Sequence, residues 1–198
     1  MKKIRTVAQN TTTQEYMRCD VADGTLTFIT SENAKIDEVV DFLARNKDFF
    51  QPFESLKDDE YYTRDFQNKL LEAEVRARKS RMSYRFYIKH SKYSDKIIGT
   101  VSLSNVLWGS FRSAIIGYKI DESFNGRGYM TKILNVMLNF AFNELNLHRI
   151  EALVLPWNKP SIRVLEKNRF ELEGISRECL KVDGYWQDHL RFSRIKIE

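Results

Sequence analysis

The amino-acid sequence predicts an α/β or α+β domain built around a mixed sheet. Its apolar patterns follow strand and helix periods in the order β, α, α, β, β, β, α, β, α, β, β, which is typical of a sheet covered by helices. The 198 residues are 42% hydrophobic and contain no repeat, low-complexity segment or Pro-rich linker. This length and apolar fraction suffice for one domain with a buried core and exclude a disordered chain.

Seven segments have the apolar pattern of strands and are bounded by turn residues. The pair Asp183-Gly184 is a typical two-residue hairpin turn, and the region around Gly109 predicts a second hairpin. The strands that flank these turns are therefore expected to be antiparallel. In chain order the predicted strands are 25–30, 83–89, 96–106, 113–120, 150–155, 170–182 and 185–195.

Helical spacing of apolar residues indicates four helices. Ser31 can cap the first, and Asn158 or Lys159 can cap the last, with Pro160 in its first turn. The third helix has the most regular apolar stripe, from Met130 to Leu145. In chain order the predicted helices are 31–47, 58–79, a helix that begins near Gly126, and a short helix that ends near Asn168.

The composition limits the possible partners. The net charge is +5, from 32 Lys and Arg against 27 Asp and Glu, and such a modest positive field suits a phosphorylated cofactor or an acidic partner. Two Cys exclude a disulfide scaffold, and no apolar run reaches the ~20 residues of a membrane helix. We therefore expect a soluble cytoplasmic protein with no membrane partner, no direct nucleic-acid contact and, because its three His stand far apart, no metal.

The strongest candidate for a binding site is the run Asn125–Thr131, between a predicted strand and the third helix. A helix start leaves backbone N–H groups free and carries partial positive charge. Gly126 and Gly128 permit close approach of an anion, while Arg127 adds a full charge. The run therefore suits a pyrophosphate, although the pattern alone equally fits a turn that only enters a helix. No P-loop is present, and the third glycine of a dinucleotide-binding motif is replaced by Thr131.

At its glycines the same run resembles the [QR]-x-x-G-x-[GA] signature of the GNAT superfamily of acetyl-CoA-dependent N-acetyltransferases. Further motifs are similar to the Rim-type branch, which acetylates the N-terminal amines of ribosomal proteins. The similarity extends over about 97–195, whereas over 1–95 only the order of elements fits. The downstream motifs are 147–152, 158–161, 173–174 and 183–188.

The resemblance implies a fold and a cofactor site. The fold is a mixed, mostly antiparallel central sheet with helices on both faces, here in a single domain, 23–198, after a polar N-terminal arm, 1–22. The pantetheine arm of acetyl-CoA would lie on the end of a strand that splays from its neighbour, and Asn158 would contact this arm. The implied backbone contacts are Tyr118, Lys119 and Ile120 for pantetheine, and Arg127, Gly128, Tyr129, Met130 and Thr131, with Gly126 allowing approach, for the pyrophosphate.

The resemblance also implies direct attack of an amine on the thioester within a ternary complex. Many family members use a tyrosine as the acid that serves the leaving sulfur, and Leu165 occupies that position here. The Rim-type branch has a serine instead, which Ser161 matches. Candidate bases are Glu178, two residues before the aligned position Leu180, and Glu151. The alternative interpretations are structural, with Ser161 as a first-turn helix residue and Glu151 as a strand partner.

The missing base favours one class of acceptor. A free α-amine has a pKa of ~7.7–8.0, so roughly a tenth is neutral at pH 7, against a few parts in ten thousand, roughly, for a lysine at ~10.4. We therefore predict acetyl transfer to a protein N-terminal α-amine, with a ribosomal protein as the possible acceptor and a monomer or homodimer as the enzyme. The alternatives are transfer to a small amine (polyamine, antibiotic or amino acid) and a non-catalytic CoA sensor.

Overall fold

The computed structural model describes residues 17–197, and its eight strands form one sheet. The strand order is β1-β2-β3-β4-β5-β6-β8-β7. Every neighbouring pair is antiparallel except β5 and β6, which are parallel. The predicted mixed, mostly antiparallel sheet is thus confirmed. The strands are β1 (Met17–Val21), β2 (Gly24–Thr30), β3 (Tyr84–His90), β4 (Tyr93–Leu107), β5 (Ser113–Ile120), β6 (Arg149–Val154), β7 (Glu171–Val182) and β8 (Tyr185–Ile195).

The four predicted helices lie between the strands in the predicted order, and a further short helix, Lys47–Phe50, follows the first of them. The helix that begins at Tyr129 continues beyond Asn139 for one more turn, Phe140–Glu144, with π-helical hydrogen bonding. Short 3₁₀ turns occupy Gln51–Phe53, Asp59–Tyr62 and Glu122–Phe124. The helices are α1 (Ile36–Arg45), α2 (Lys47–Phe50), α3 (Arg64–Lys79), α4 (Tyr129–Asn139) and α5 (Lys159–Lys167).

Two apolar clusters cover the two faces of the sheet. Strand residues alternate between faces, so Phe86 and Ile88 of β3 pack in the larger cluster with α4, whereas Tyr87 packs in the smaller one. The smaller cluster contains Phe42 of α1 and Leu71 of α3. Helices on both faces are therefore confirmed.

The starts of the first two predicted helices differ from the prediction. Ser31 does not cap α1, which begins at Ile36; its Oγ instead donates to Glu74 Oε2 of α3 at 2.6 Å. The second long helix begins at Arg64 rather than near Asp58. Asp58 caps the 3₁₀ turn that precedes this helix, accepting from Tyr61 N at 3.1 Å. The Ser31 hydroxyl therefore serves α3 rather than the start of α1, and Asp58 serves the 3₁₀ turn rather than the long helix.

The strand β1 is absent from the sequence prediction, which placed residues 1–22 in a polar arm. Residues 17–21 instead form an antiparallel pair with β2, closing a tight turn at Ala22-Asp23. The strand lies at the edge of the sheet and none of its residues is fully buried. Residues 1–16 lie outside the described residues, so the assignment of an arm there stays a prediction.

Candidate active site

A cleft opens in the middle of the sheet, where β5 and β6 separate. Their parallel pairing covers three positions and ends at Ile115 opposite Glu151. Beyond that point β5 continues to pair with β4, up to Ile120 opposite Gly99. The predicted splay is therefore present, and the side of 116–120 that faces away from β4 is available to a ligand.

The glycine loop, residues 125–128, lies just beyond this end of β5. Gly126 and Gly128 have φ angles of 74° and 76°, the left-handed region that favours glycine. A Cβ atom at either position would meet no atom within 4 Å, so the loop is open to solvent. The helix α4 begins at Tyr129, three residues later than expected near Gly126, because Gly128 serves as its left-handed N-cap.

The amide groups at the start of α4 supply the donors that an anion needs. Helix N-termini leave their first N–H groups unpaired and favour negative charge. The guanidinium of Arg127 folds back over the Phe124 ring, 5.1 Å from its centroid, and donates to Ser123 O at 3.0 Å. Within the loop, Arg127 thus stiffens the turn as well as adding charge.

A buried polar cluster anchors the first residue of α4. Tyr129 Oη donates to the Asp23 carboxylate, with 2.6 and 2.7 Å to its two oxygens, and this bond lowers the pKa of Asp23. The fully buried His90 ring lies 3.3 Å from Asp23 Oδ1. The sequence pattern carries no signal of this cluster, because Asp23 and Tyr129 lie 106 positions apart. The side chain of Tyr129 is therefore structural, whereas its amide belongs to the loop.

Asp121 joins the end of β5 to α1. Its buried carboxylate accepts from Arg45 Nε at 2.6 Å, Asn46 Nδ2 at 3.2 Å and Ser123 N at 2.9 Å. Burial raises the pKa of this carboxyl, but the hydrogen bonds from Ser123, Arg45 and Asn46 prevail and lower it. These bonds fix the segment that leads into the glycine loop.

On the other side of the cleft, the start of α5 brings three predicted residues together. Asn158 caps the helix, its Oδ1 accepting from Ser161 N at 3.2 Å, a bond that does not use its Nδ2 donor. The Tyr118 hydroxyl of β5 lies 2.8 Å from Ser161 Oγ and donates to Ser161 O at 3.2 Å. The cap prediction is thus confirmed. The Leu165 side chain is fully buried in the larger apolar cluster and offers no proton.

Glu151 lies at the last paired position before the cleft. Arg149 Nε donates to its Oε1 at 2.9 Å, and Arg149 also binds both oxygens of Glu173, at 2.7 and 2.5 Å. The hydrogen bond from Arg149, with a second from Ser193, lowers the pKa of Glu173 to about 2. This ion-pair network agrees with the interpretation of Glu151 as a structural partner in the sheet. The role of Glu151 as a base stays a prediction.

Glu178 lies in a bulge of β7. The register shifts between Ser176 and Leu180, and Glu178 adopts a left-handed φ of 45°. Its N–H donates to Asp188 Oδ1 at 2.9 Å, and the residue is exposed. Residues two apart on a regular strand share a face, but the bulge interrupts this alternation between Glu178 and Leu180. The role of Glu178 as a base stays a prediction.

A strap, defined as residues 51–57 between α2 and α3, crosses from β5 to the β7–β8 hairpin. Glu54 Oε1 forms an ion pair with Lys119 Nζ at 2.6 Å, and Glu54 O accepts a hydrogen bond from Asp183 N at 2.8 Å. Phe53 packs on Trp157, with ring centroids 5.1 Å apart. The strap therefore contacts both walls beside the cleft, where burial lowers the pKa of Lys119.

The described part of the chain contains neither a cluster of metal-binding side chains nor a membrane-spanning helix. Across residues 17–197, no group of three or more His, Cys, Asp or Glu side chains could hold a metal ion. In that same range, no helix is long and apolar enough to cross a membrane.

Comparisons with known proteins match this geometry. The model of the acetyltransferase (GNAT) domain family matches residues 26–171. The probable N-acetyltransferase YjcK of Bacillus subtilis (strain 168) is 42% identical over 154 residues, covering 77% of this chain and 84% of that protein.

Two solved structures are similar to this chain over about nine tenths of its length. The ribosomal-protein-S5-alanine acetyltransferase from Vibrio fischeri superposes with a TM-score of 0.82 at 29% identity, covering 90% of this chain and 96% of that one. RimJ of Mycobacterium smegmatis, in complex with CoA-disulfide, gives a TM-score of 0.82 at 26% identity, covering 91% and 86%. Since the family model spans well over half of the sequence and the Bacillus relative is similar along most of both chains, this protein belongs to the GNAT acetyltransferase family and is an N-acetyltransferase.

Proposed function

We propose that this enzyme transfers the acetyl group of acetyl-CoA to a protein N-terminal α-amine of the ribosomal-protein type. The observation that carries the proposal is the placement of three features around one cleft. These are the open edge of β5, the glycine loop at the start of α4 and the Asn158–Ser161 cap of α5. The relatives support the acceptor class, since the Vibrio protein is named for alanine acetylation of a ribosomal protein.

Backbone groups at the start of α4 and at the end of β5 are placed to bind CoA. The free amides at the start of α4 bind the pyrophosphate, and the backbone of Tyr118 and Ile120 hydrogen-bonds the pantetheine arm. The N–H and C=O of Lys119, which the resemblance also implied, instead face β4, where Lys119 pairs with Thr100. The mycobacterial relative, which holds a CoA-disulfide, supports this assignment. An amide of β5 also polarises the thioester carbonyl, as oxyanion donors do in other acyl transfers.

The reaction is direct attack of the neutral amine on the thioester carbon, followed by departure of the thiolate. The Ser161 hydroxyl donates a hydrogen bond to the leaving sulfur, at the point where many relatives use a tyrosine as an acid. An α-amine, roughly a tenth neutral at pH 7, needs no strong base. This agrees with the carboxylate of Glu151 being held by Arg149. The enzyme works in the cytoplasm, as a monomer or homodimer.

Replacing Ser161 with Ala should lower kcat by about tenfold or more, since one preorganised donor at a developing negative charge typically contributes about 10²-fold or more and a serine hydroxyl is a weak donor. The dissociation constant of acetyl-CoA, measured by calorimetry, should stay within about twofold, because the loop amides are untouched. The matched control is Ser83→Ala, which removes a hydroxyl that donates to Leu103 O at 3.0 Å, away from the cleft. Equal turnover in Ser161→Ala and wild type would remove Ser161 from the mechanism.

Competition between acceptors tests the substrate class. We expect peptides with free N-terminal Ala or Ser to be acetylated at a higher kcat/KM than polyamines, aminoglycosides or free amino acids. The measurement is release of the CoA thiol with each acceptor at equal concentration. A preference for small amines would favour the second enzyme hypothesis. Acetyl-CoA binding without transfer to any amine would favour a sensor.

A further inference from the structure

We propose that Tyr118 is a positioning residue that turns the Ser161 hydroxyl proton toward the leaving sulfur. The inference rests on the proposed acetyl transfer and adds a group that the sequence assigned only through its backbone. Its basis is the contact between the two hydroxyls across the mouth of the cleft, with Oη 2.8 Å from Oγ.

The position of Tyr118 in β5 explains why its phenol reaches α5. Strand alternation places Ala114, Ile116 and Tyr118 on the face that carries α4 and α5, where the first two are buried and Tyr118 packs at the margin. The residue belongs to the part of β5 that has left β6. Its ring therefore lines the open side of the cleft, and its hydroxyl meets the first turn of α5.

The two hydroxyls have two possible hydrogen-bond arrangements. In the first, Tyr118 donates to Ser161 O at 3.2 Å and Ser161 Oγ donates to Tyr118 Oη, so the serine proton is occupied in that hydrogen bond. When Tyr118 donates to Ser161 Oγ, the serine proton is free to point into the cleft. A departing thiolate is an acceptor only, so it selects the second arrangement. Hydrogen bonds in such a chain strengthen one another.

The acidity of the phenol decides what Tyr118 can do. Burial raises its pKa to about 12, although the bond to Ser161 opposes this rise. A thiol has a pKa of ~8.5, so Tyr118 keeps its proton at working pH and acts as a donor of hydrogen bonds. The phenol is thus suited to orient Ser161, not to protonate the sulfur.

The proton balance of the transfer closes without a net change at either hydroxyl. The N–C bond forms, the C–S bond breaks, and its electron pair stays on sulfur. The acceptor nitrogen releases one proton to water, and the thiolate, stabilised by the Ser161 O–H group, gains one from water after it departs. Tyr118 and Ser161 end the cycle protonated as they began.

A double-mutant cycle with Ser161→Ala tests the inference. Tyr118→Phe keeps the ring and removes only the hydroxyl. It should lower kcat about three- to tenfold, which corresponds to the loss of one hydrogen bond worth ~0.5–1.5 kcal/mol. The KM for acetyl-CoA should stay within about twofold of the wild-type value. In the Ser161→Ala background the same change should cost less than about twofold, because its only route to the sulfur is gone. The control is Tyr87→Phe, which removes a buried hydroxyl bonded to Glu74 at 3.0 Å on the opposite face; its kcat should stay near wild type.

The outcomes separate this inference from the proposed function. If wild type transfers acetyl and Tyr118→Phe either matches it or lowers kcat equally in both backgrounds, the positioning role is wrong while the function stands. If wild type acetylates no amine, the proposed function itself fails. Should Tyr118→Phe unfold, fluorotyrosine at 118, a more acidic phenol of nearly the same shape, should retain or raise kcat. A tenfold loss with that residue would overturn the inference.

Discussion

Gly128→Glu should abolish measurable binding of acetyl-CoA. The substitution forces an L-residue into a backbone with φ of 76°, which costs about 1–2 kcal/mol. It also places a negative charge where the loop amides would meet the pyrophosphate. Each 1.4 kcal/mol is tenfold in the dissociation constant. Repulsion of the pyrophosphate, together with the shift of the loop that relieves the strain, should weaken binding at least about 100-fold in calorimetric titration.

The matched control is Gly109→Glu, in the turn between β4 and β5. Gly109 has a φ of 67° and, like Gly128, no atom within 4 Å of an added Cβ. The control therefore carries the same strain and charge at a site remote from the loop in sequence, and it should bind acetyl-CoA as wild type does. Equal binding by folded Gly128→Glu would show that the glycine loop is only a turn.

Asp121→Ala should lower the free energy of unfolding by about 3 kcal/mol, the usual cost of leaving buried charged donors without their partner. The carboxylate binds Arg45, Asn46 and Ser123, and its side chain is only 6% exposed. Urea denaturation at pH 7 measures the change. Because these bonds also fix the entrance to the glycine loop, acetyl-CoA affinity should fall as well.

The dependence on pH gives this prediction a second readout. The pKa of Asp121 is lower in the folded than in the unfolded state, so its contribution is complete above the unfolded value of ~3.9 and is lost as the pH falls through the folded value. The difference between wild type and Asp121→Ala should therefore shrink below about pH 4.

Asp41→Ala is the control, since Asp41 pairs with the same Arg45 but is 55% exposed. Exposed ion pairs contribute ~0–1 kcal/mol, so this change should be small. Equal destabilisation by the two substitutions would contradict the assigned importance of burial at Asp121.

The parts of the fold that the sequence predicts correctly are encoded locally. The stripe of α4 is an example, because Met130, Ile133, Leu134 and Met137 recur at helical spacing and all are buried. The Asp183-Gly184 hairpin and the Asn158 cap are equally local. In contrast, β1 is stabilised by pairing with β2 at the edge of the sheet, and its polar alternation leaves no strong apolar signal.

The interactions that shape the site join residues far apart in sequence. The Tyr129–Asp23 pair spans 106 positions, the Arg45–Asp121 pair spans 76, and the Tyr118–Ser161 pair spans 43. The spacing of apolar residues along the sequence cannot predict such contacts, since they exist only after the sheet has formed. The glycine loop was detectable because its own residues carry the anion-binding pattern, whereas its supports were not.

The most direct test of the proposed acetyl transfer uses a peptide that offers two amines at once. The peptide begins with a free Ala α-amine and contains one internal lysine, and it is incubated with enzyme and acetyl-CoA near pH 7. Tandem mass spectrometry then locates the acetyl group. We expect the gain of one acetyl group on the N-terminal nitrogen; acetylation of the lysine alone, or of neither amine while acetyl-CoA binds, would contradict the proposed function.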